Sequence, residues 1–331
     1  MIFYRKGSER DLYKIPMKDK LHPVMILTHD AGEYLPFLKK LSETGVELTA
    51  VPTADAARES YSGQEIILGQ PDLVAAVLDD MPEVRWVQSS WAGVTPLIKT
   101  GRRDYLLTGV KDVFGHQMAE YVLGYLLARE LKIFERLGRQ ASRSWWSGPS
   151  GSLHGKTVGI MGTGSIGRRI ARLLKPFGVA ITGYSRSGAQ VADFDRIFSG
   201  RQLTAFLAEP DYLVCVMPDT PGTKHLLDAD AFRAMKNHCC LVNIGRGNAV
   251  DEQALAAALY AGELDGAVLD VFQQEPLPED SPLWNAPGLI VTGHVAARSW
   301  PKDIAAVFSE NYRRYCAGEP LEYLVDFERG Y

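Results

Sequence analysis

The glycine pattern in the middle of the chain constrains its fold more than any other stretch. It reads Gly162-Thr163-Gly164-Ser165-Ile166-Gly167, follows a strand-like run at residues 156–161, and opens a segment with apolar residues at helical spacing. In a dinucleotide-binding βαβ unit, the first glycine permits the tight turn and the second lets backbone N–H groups approach a pyrophosphate. The third lets the helix pack closely on the strand. We therefore predict that this turn, Ser165 and Ile166 included, binds a dinucleotide. The alternative is a strand-to-helix turn without a ligand.

Strand-like and helix-like segments alternate on both sides of this turn, which predicts parallel sheets covered by helices. The expected fold class is α/β with two doubly wound parallel-sheet domains, a flavodoxin-like substrate domain and an inserted Rossmann domain that binds NAD(P). We assign residues 1–115 and 298–331 to the substrate domain and residues 116–297 to the Rossmann domain. The predicted strands are 24–27, 47–51, 65–68, 84–87 and 105–108 in the first, and 156–161, 180–184, 213–217, 240–244, 267–269 and 289–291 in the second.

Two longer helices and one loop are predicted around these strands. One helix without proline runs from residue 117 to about residue 140, and another spans residues 303–315. The Ser, Trp, Gly and Pro residues within 142–152 indicate a loop. The very apolar strands of the Rossmann domain indicate burial on both faces of the sheet.

The composition narrows the class of protein. Lys plus Arg number 36 and Asp plus Glu number 40, giving a net charge of -4, which argues against nucleic-acid binding. No apolar stretch approaches the roughly 18 residues of a membrane span, and the first twenty-odd residues hold no long apolar run. We expect neither a membrane association nor a secretory signal. Cys215, Cys239 and Cys240 lie in apolar runs and lack zinc spacing, so they are predicted to be buried free thiols of a cytoplasmic protein.

The residues that follow the second Rossmann strand select the dinucleotide. NAD sites usually carry Asp or Glu there, which binds the ribose 2′-hydroxyl. This chain reads Tyr184-Ser185-Arg186-Ser187, and a guanidinium between two hydroxyls suits a 2′-phosphate. We predict that NADP(H) is preferred and that NAD(H) is possible. An ordinary polar loop is the alternative, because Arg and Ser are common in loops.

Three residues with catalytic chemistry, Arg246, Glu275 and His294, follow three buried strands of the Rossmann domain. Because ligands of an open parallel sheet bind outside the carboxyl ends of its strands, we expect these side chains to converge. Arg binds a carboxylate bidentately, His gives a proton to a developing alkoxide, and Glu fixes the tautomer of that His. The nicotinamide supplies the hydride, so no metal is expected. Each residue alone could be an ordinary loop residue, but the combination predicts reduction of a 2-oxo acid.

Together these motifs resemble the D-isomer-specific 2-hydroxyacid dehydrogenase family over nearly the whole chain. The resemblance is carried by residues 155–160 before the glycine turn, by residues 243–247 and by the Glu275–His294 pair. The Ser-Arg-Ser segment is similar to the NADPH-dependent glyoxylate/hydroxypyruvate reductase branch. The resemblance implies that a small 2-oxo acid is reduced to the D-2-hydroxy acid in an interdomain cleft, with the proton from His294. It also implies a homodimer built through the nucleotide domain.

Further cofactor contacts are implied residue by residue. Asp270 matches the acid that holds the nicotinamide carboxamide, with a strand-end cap as the alternative. Pro218 matches the turn that lines the adenine side, and Ile244 is a further cofactor-binding position.

Substrate contacts are implied in the loop Ser89-Ser90-Trp91-Ala92-Gly93-Val94. The resemblance gives substrate-binding roles to Trp91, Ala92, Gly93 and Val94, with the backbone amides near Gly93 and Val94 meeting the substrate carboxylate. The chain departs from the family at Trp91, where Gly is usual, and at Thr95, where Asp is usual. Both departures leave the substrate side chain open. Arg298 and Trp300 either face the cleft or are structural.

Two other functions share this fold. Transcriptional corepressors sense a dinucleotide and bind partner peptides, but a binding role would tolerate loss of the acid–base pair that is intact here. An enzyme of this fold could also oxidise a one-carbon or inorganic anion.

Overall fold

The computed structural model describes residues 21–328 of the chain. They fold as two units, one formed by residues 21–113 and 299–328 and the other by Phe114–Arg298. The prediction of no secretory signal concerns residues 1–20 and lies outside the described residues. No helix in the described part of the chain is long and apolar enough to cross a membrane.

The first unit contains a five-stranded parallel sheet in the order β2-β1-β3-β4-β5, which is the flavodoxin-like order. Four of these strands are fully buried, whereas the edge strand β2 is mostly half-buried, and β4 lies two residues further along the chain than predicted. The strands are β1 Val24–Leu27, β2 Leu48–Val51, β3 Ile66–Gly69, β4 Trp86–Ser89 and β5 Leu106–Thr108. The helices between them are α1 Ala31–Glu43, α2 Ala54–Ser60, α3 Pro71–Ala75 and α4 Thr95–Lys99.

The second unit contains a seven-stranded parallel sheet in the order β12-β11-β10-β9-β6-β7-β8. The chain reverses its direction across the sheet between β6 and β9, and this switch point is where doubly wound sheets bind ligands. The α/β fold class with two doubly wound sheets is confirmed. The strands are β6 Thr157–Met161, β7 Ala180–Ser185, β8 Arg196–Ser199, β9 Tyr212–Cys215, β10 Cys240–Asn243, β11 Gly266–Leu269 and β12 Leu289–Val291. The helices are α5 Gly115–Glu130, α6 Ile133–Ala141, α7 Ser165–Leu174, α8 Leu203–Leu207, α9 Ala229–Ala234 and α10 Glu252–Ala261.

The central strands of this sheet are buried on both faces, as predicted. Leu213 and Leu241 belong to one hydrophobic core, whereas their neighbours Val214 and Val242 belong to the other. The alternation follows from the two-residue period of a strand. Cys215, Cys239 and Cys240 are buried free thiols, also as predicted.

Two predictions about the second unit were wrong, and one strand was not predicted. The single helix from residue 117 to about 140 is two helices, because Lys132 adopts a left-handed conformation (φ 53°) between α5 and α6. Strand β8 was missed because it is a short edge strand in which only Ile197 and Phe198 are buried. Strand β12 is half-buried rather than covered on both faces, because it forms the opposite edge.

The last helix, α11 (Pro301–Ala317), returns to the first unit. The indole of Trp86 on β4 stacks between Phe308 and Tyr315, with ring centroids 5.3 and 5.2 Å away. On the same helix, buried Asn311 donates from Nδ2 to Gln88 Oε1 at 3.0 Å. The C-terminal helix therefore completes a core begun by β4, which explains why the second unit is an insertion in the chain.

Candidate active site

The glycine turn follows β6 at the switch point of the seven-stranded sheet. Gly162 has a φ of 104°, and a Cβ on Gly167 would lie 2.0 Å from the carbonyl oxygen of Gly162. A side chain at either position is therefore excluded, the first by backbone strain and the second by the close approach of α7. The Gly162 N–H donates to the Tyr184 carbonyl at 2.9 Å, which fixes the turn to the end of β7. This geometry leaves the first residue of α7, Ser165, exposed at the edge of the sheet.

The segment predicted to select the dinucleotide lies at the end of β7. Ser185 Oγ accepts from the Gly188 N–H, and Ser187 Oγ accepts from the Ala189 N–H, each at 3.2 Å. Both hydroxyls keep their own proton for a further bond. Arg186 is exposed and forms no ion pair or side-chain hydrogen bond within residues 21–328. A cation and two hydroxyl donors therefore stand together at this strand end.

The predicted acid–base pair forms. His294 Nδ1 lies 2.8 Å from Glu275 Oε2, and the other carboxylate oxygen of Glu275 accepts from the Phe272 N–H at 3.0 Å. An ionised carboxylate only accepts hydrogen bonds, so the imidazole carries a proton on Nδ1. His294 Nε2 has no protein partner in the described part of the chain, and about half of the side chain is exposed. The pair can therefore present Nε2 to a substrate.

Asp270 fixes the loop that carries His294. Its buried carboxylate accepts from Thr292 Oγ1 at 2.6 Å, and from the N–H groups of Val295 and Ala296 at 2.8 Å each. The Asp270 carbonyl accepts from the His294 N–H at 2.8 Å. His294 has a φ of 56°, which few non-glycine residues adopt, so these bonds hold an uncommon backbone conformation. The strand-end cap considered for Asp270 is therefore present, and its role toward nicotinamide stays a prediction.

Arg246 is half-buried in the loop after β10, and its Nη1 donates to the Gly245 carbonyl at 2.7 Å. Burial lowers the pKa of this guanidinium, whereas the charges of Asp219 and Glu275 raise the pKa. Because the ordinary pKa of arginine is far above neutrality, the side chain stays charged. A partly desolvated cation of this kind can bind a carboxylate.

Parallel pairing brings these residues to one edge of the sheet. The glycine turn, Arg246, Glu275 and His294 follow β6, β10, β11 and β12, and all four strands run in the same direction. The expected convergence at the carboxyl ends is therefore a consequence of strand register. The arrangement combines a carboxylate-binding cation with a proton donor whose tautomer is set.

The loop predicted to bind substrate belongs to the first unit and follows β4. Ser89 Oγ accepts from the Trp91 N–H at 3.0 Å and donates to the Trp91 carbonyl at 2.7 Å, which makes a compact turn. Trp91 and Gly93 are half-buried, Ala92 is exposed and Val94 is buried. Within residues 21–328, the N–H groups of Gly93 and Val94 donate no hydrogen bond. Their substrate-binding role stays a prediction.

The remaining predicted residues have mixed surroundings. Pro218 is exposed in the loop after β9, and Ile244 is buried in one of the two cores. The Arg298 N–H donates to Gln117 Oε1 at 3.0 Å, and Gln117 Nε2 returns a bond to the Arg298 carbonyl at 2.9 Å. Trp300 is the N-cap residue of α11. The backbone of Arg298 therefore ties the end of the second unit to α5.

Sequence reasoning missed two contributors to the site. Tyr121 on α5 shares a 2.6 Å hydrogen bond with Thr292, which in turn donates to Asp270. Asp219, next to Pro218, places a carboxylate near Arg246. The position of Asp219 after a buried strand was a usable signal, whereas nothing in the sequence distinguishes Tyr121 from a core tyrosine.

Comparisons with known proteins find a family model and several relatives that match this chain. The model of the D-isomer specific 2-hydroxyacid dehydrogenase, NAD binding domain, matches residues 123–296. A glyoxylate/hydroxypyruvate reductase A from Photorhabdus laumondii is 36% identical over 217 residues, which are 66% of this chain and 69% of that protein. A solved structure of a D-isomer specific 2-hydroxyacid dehydrogenase family protein from Aeromonas salmonicida is 40% identical, with a TM-score of 0.89 over 93% of this chain and 100% of that chain.

A second solved structure is an NADPH-dependent glyoxylate/hydroxypyruvate reductase from Sinorhizobium meliloti in complex with NADP and sulfate. It is 29% identical and has a TM-score of 0.81 over 94% of this chain and 100% of that chain. The chain belongs to the D-isomer-specific 2-hydroxyacid dehydrogenase family and is an NAD(P)-dependent oxidoreductase. The predicted resemblance to the glyoxylate/hydroxypyruvate reductase branch is confirmed, and the corepressor alternative is not favoured.

The Asp270 carboxylate should contribute to stability without any ligand. In Asp270→Asn, one N–H donor of the His294 loop faces an amide NH₂ instead of an oxygen, so the free energy of unfolding should fall by about 1–3 kcal/mol. Urea unfolding of the ligand-free protein measures this loss. The control Asp280→Asn changes an exposed carboxylate of the same unit and should stay within about 0.5 kcal/mol of the parent. Equal stability of the two variants would contradict the loop-anchoring role.

Proposed function

We propose that this protein reduces a small 2-oxo acid to the D-2-hydroxy acid at the expense of NADPH. The observation that carries the proposal is the 2.8 Å pair of His294 Nδ1 and Glu275, which leaves Nε2 available at the sheet edge that also holds Arg246. Family membership supports the reaction class. A dinucleotide-sensing role would not require an intact acid–base pair.

In the proposed reaction each residue has one task. Arg246 holds the substrate carboxylate through parallel N–H···O bonds. The nicotinamide, when bound, supplies a hydride to the carbonyl carbon. His294 Nε2 gives a proton to the carbonyl oxygen as negative charge develops there, so the C=O bond becomes CH–OH. Glu275 accepts a hydrogen bond from Nδ1 and keeps the orientation of the imidazole.

The proposed cofactor site combines the glycine turn with the Ser185-Arg186-Ser187 segment. The turn and the first residues of α7 offer backbone N–H groups to the pyrophosphate, and Arg186 takes the 2′-phosphate. Support for NADP(H) comes from the absence of an Asp or Glu in the segment and from relatives whose structures hold NADP, such as the reductase from Sinorhizobium meliloti. Pro218, Ile244 and Asp270 remain proposed cofactor-binding positions.

The proposed substrates are glyoxylate and hydroxypyruvate, because relatives in both comparisons carry these names. A single carboxylate and a small side chain match one half-buried Arg246. The substrate-binding roles of Trp91, Ala92, Gly93 and Val94 are part of the proposal. They are supported by the unpaired N–H groups of Gly93 and Val94 in the described residues.

Removing the proton donor should lower turnover severely without abolishing cofactor binding. In His294→Gln, loss of general acid catalysis should lower kcat for glyoxylate or hydroxypyruvate by about 10²- to 10⁴-fold. The decrease of NADPH absorbance measures turnover, and fluorescence titration measures the dissociation constant for NADPH. The exposed His238→Gln is the matched control, since His238 pairs with Asp211 before β9, away from the carboxyl ends of the strands. Unchanged turnover of His294→Gln would refute its role as the proton donor.

Removing the residue proposed to bind the 2′-phosphate should weaken the binding of NADPH more than the binding of NADH. In Arg186→Ala, loss of a charge-assisted contact should raise the dissociation constant for NADPH about 10- to 100-fold and that for NADH less than about threefold. Arg196→Ala is the control for net charge. It removes an exposed guanidinium on the neighbouring strand β8, where Arg196 pairs with Glu209. Equal losses for both cofactors in Arg186→Ala would reject the assignment of NADP(H).

A homodimer is proposed through helix α6 and its flanks. Helix α6 has no buried residue, which is unusual for a helix with an apolar face. An exposed apolar patch of this kind marks an interface in a stable protein. The patch consists of Leu131, Ile133, Phe134, Leu137 and Trp145.

Charges placed in this patch should separate the subunits. Light scattering after size-exclusion chromatography should give twice the chain mass for the parent and the single chain mass for the double variant Phe134→Asp with Leu137→Asp. Tyr260→Asp, at an exposed position on α10, should leave the mass unchanged. A parent that elutes as a monomer would overturn the proposed dimer.

A further inference from the structure

Asp219 has no task in the proposed reaction, yet its negative charge acts on the Arg246 guanidinium. The loops after β9 and β10 touch through their backbones, since a Cβ on Gly245 would lie 2.8 Å from both the nitrogen and the oxygen of Met217. Two residues after Arg246, Asn248 donates from Nδ2 to Asp219 Oδ1. This hydrogen bond therefore holds the Asp219 carboxylate near the carboxyl ends of β9 and β10.

Negative charges outnumber the positive charge of Arg246 in this part of the site. Asp219 is exposed and pairs with no Lys or Arg in the described part of the chain, so its negative charge is not cancelled by a second cation. Glu275 also acts on Arg246, and Glu252 lies close enough to Glu275 to act on it. Glu252 Oε1 accepts from the Gln273 N–H at 2.7 Å, which anchors this third carboxylate to the Glu275 loop. Two carboxylates, Asp219 and Glu275, therefore act on this one guanidinium, and a third is bound to the Glu275 loop.

We propose that Asp219 is a specificity-determining residue that restricts the site to 2-oxo acids with one negative charge. Arg246 binds the carboxylate next to the reacting carbonyl, and Asp219 repels a second carboxylate or a phosphate on the same substrate. An uncharged or hydroxyl-bearing side chain meets no such repulsion. The inference rests on the proposed function and adds to it the charge class of the substrate.

The size of the effect follows from Coulomb's law. Two like unit charges about 8 Å apart, in a site with an effective dielectric constant of about 20–40, weaken binding roughly 5- to 30-fold. Removing the charge of Asp219 should therefore raise the relative preference for a doubly charged substrate by about tenfold. Salt screens such interactions, so the gain should shrink as ionic strength rises.

The experiment compares ketomalonate, a doubly charged 2-oxo acid, with hydroxypyruvate, a singly charged one of similar size. The readout is the ratio of their kcat/KM values with NADPH in the full-length protein. Asp219→Asn should raise this ratio about tenfold, and less in 0.5 M salt, whereas Asp219→Glu should keep it low. Asp230→Asn removes one charge from an exposed pair with Arg233 on α9 and should leave the ratio unchanged. Asp219→Ser also removes the charge, but it does not introduce the amide group that Asp219→Asn adds.

Two results of this kinetic comparison would overturn the inference. One is an unchanged ratio in both Asp219→Asn and Asp219→Ser, and the other is an equal rise in Asp230→Asn, which would indicate net charge rather than position. If the parent reduces no 2-oxo acid, the proposed function fails, and the inference is then tested by binding alone. The affinity for malonate relative to lactate, measured by tryptophan fluorescence with NADPH present, should rise in Asp219→Asn. An unchanged relative affinity would overturn it independently of turnover.

Discussion

The candidate site depends on the buried carboxylate of Asp270. It accepts three hydrogen bonds from the segment between β12 and Ala296, and its carbonyl accepts a fourth bond from His294. Buried carboxylates are tolerated only when such donors satisfy them, so the loop and the charge stabilise each other. The result is a histidine in a left-handed conformation, with Nδ1 on Glu275 and Nε2 available. Tyr121 extends the network to α5 through Thr292.

The second constraint is the imbalance of charge at the same edge. Arg246 is the guanidinium in the loop after β10, and it stays charged because the ordinary pKa of arginine is far above neutrality. Burial lowers its pKa, and the carboxylates of Asp219 and Glu275 raise it. Those carboxylates also offset part of its attraction for an anionic ligand. In the proposed function, this balance admits a small substrate with one carboxylate and disfavours a second negative charge. The proposed chemistry and the proposed substrate class therefore depend on the same few charges.

Much of the fold and of the candidate site was predictable because the relevant signals are local. The glycine turn, Arg246, Glu275 and His294 each follow a strongly apolar strand, and parallel pairing then brings strand ends together. The break at Lys132 was not predictable, since lysine is neither a helix breaker nor a usual left-handed residue. The anchoring role of Asp270 and the position of Asp219 depend on side-chain hydrogen bonds between loops, which a single sequence does not encode in its periodicity.

The central claim is that this site transfers a hydride to the carbonyl carbon of a 2-oxo acid. Its most direct test uses NADPH that carries deuterium on the transferring position of the nicotinamide, with hydroxypyruvate as the acceptor, and mass spectrometry with NMR of the product. We expect glycerate with one deuterium at C2, in the D configuration, and the same transfer at a much lower rate in His294→Gln. Oxidation of the dinucleotide without deuterium at C2 of the product, or no oxidation with any 2-oxo acid, would contradict it.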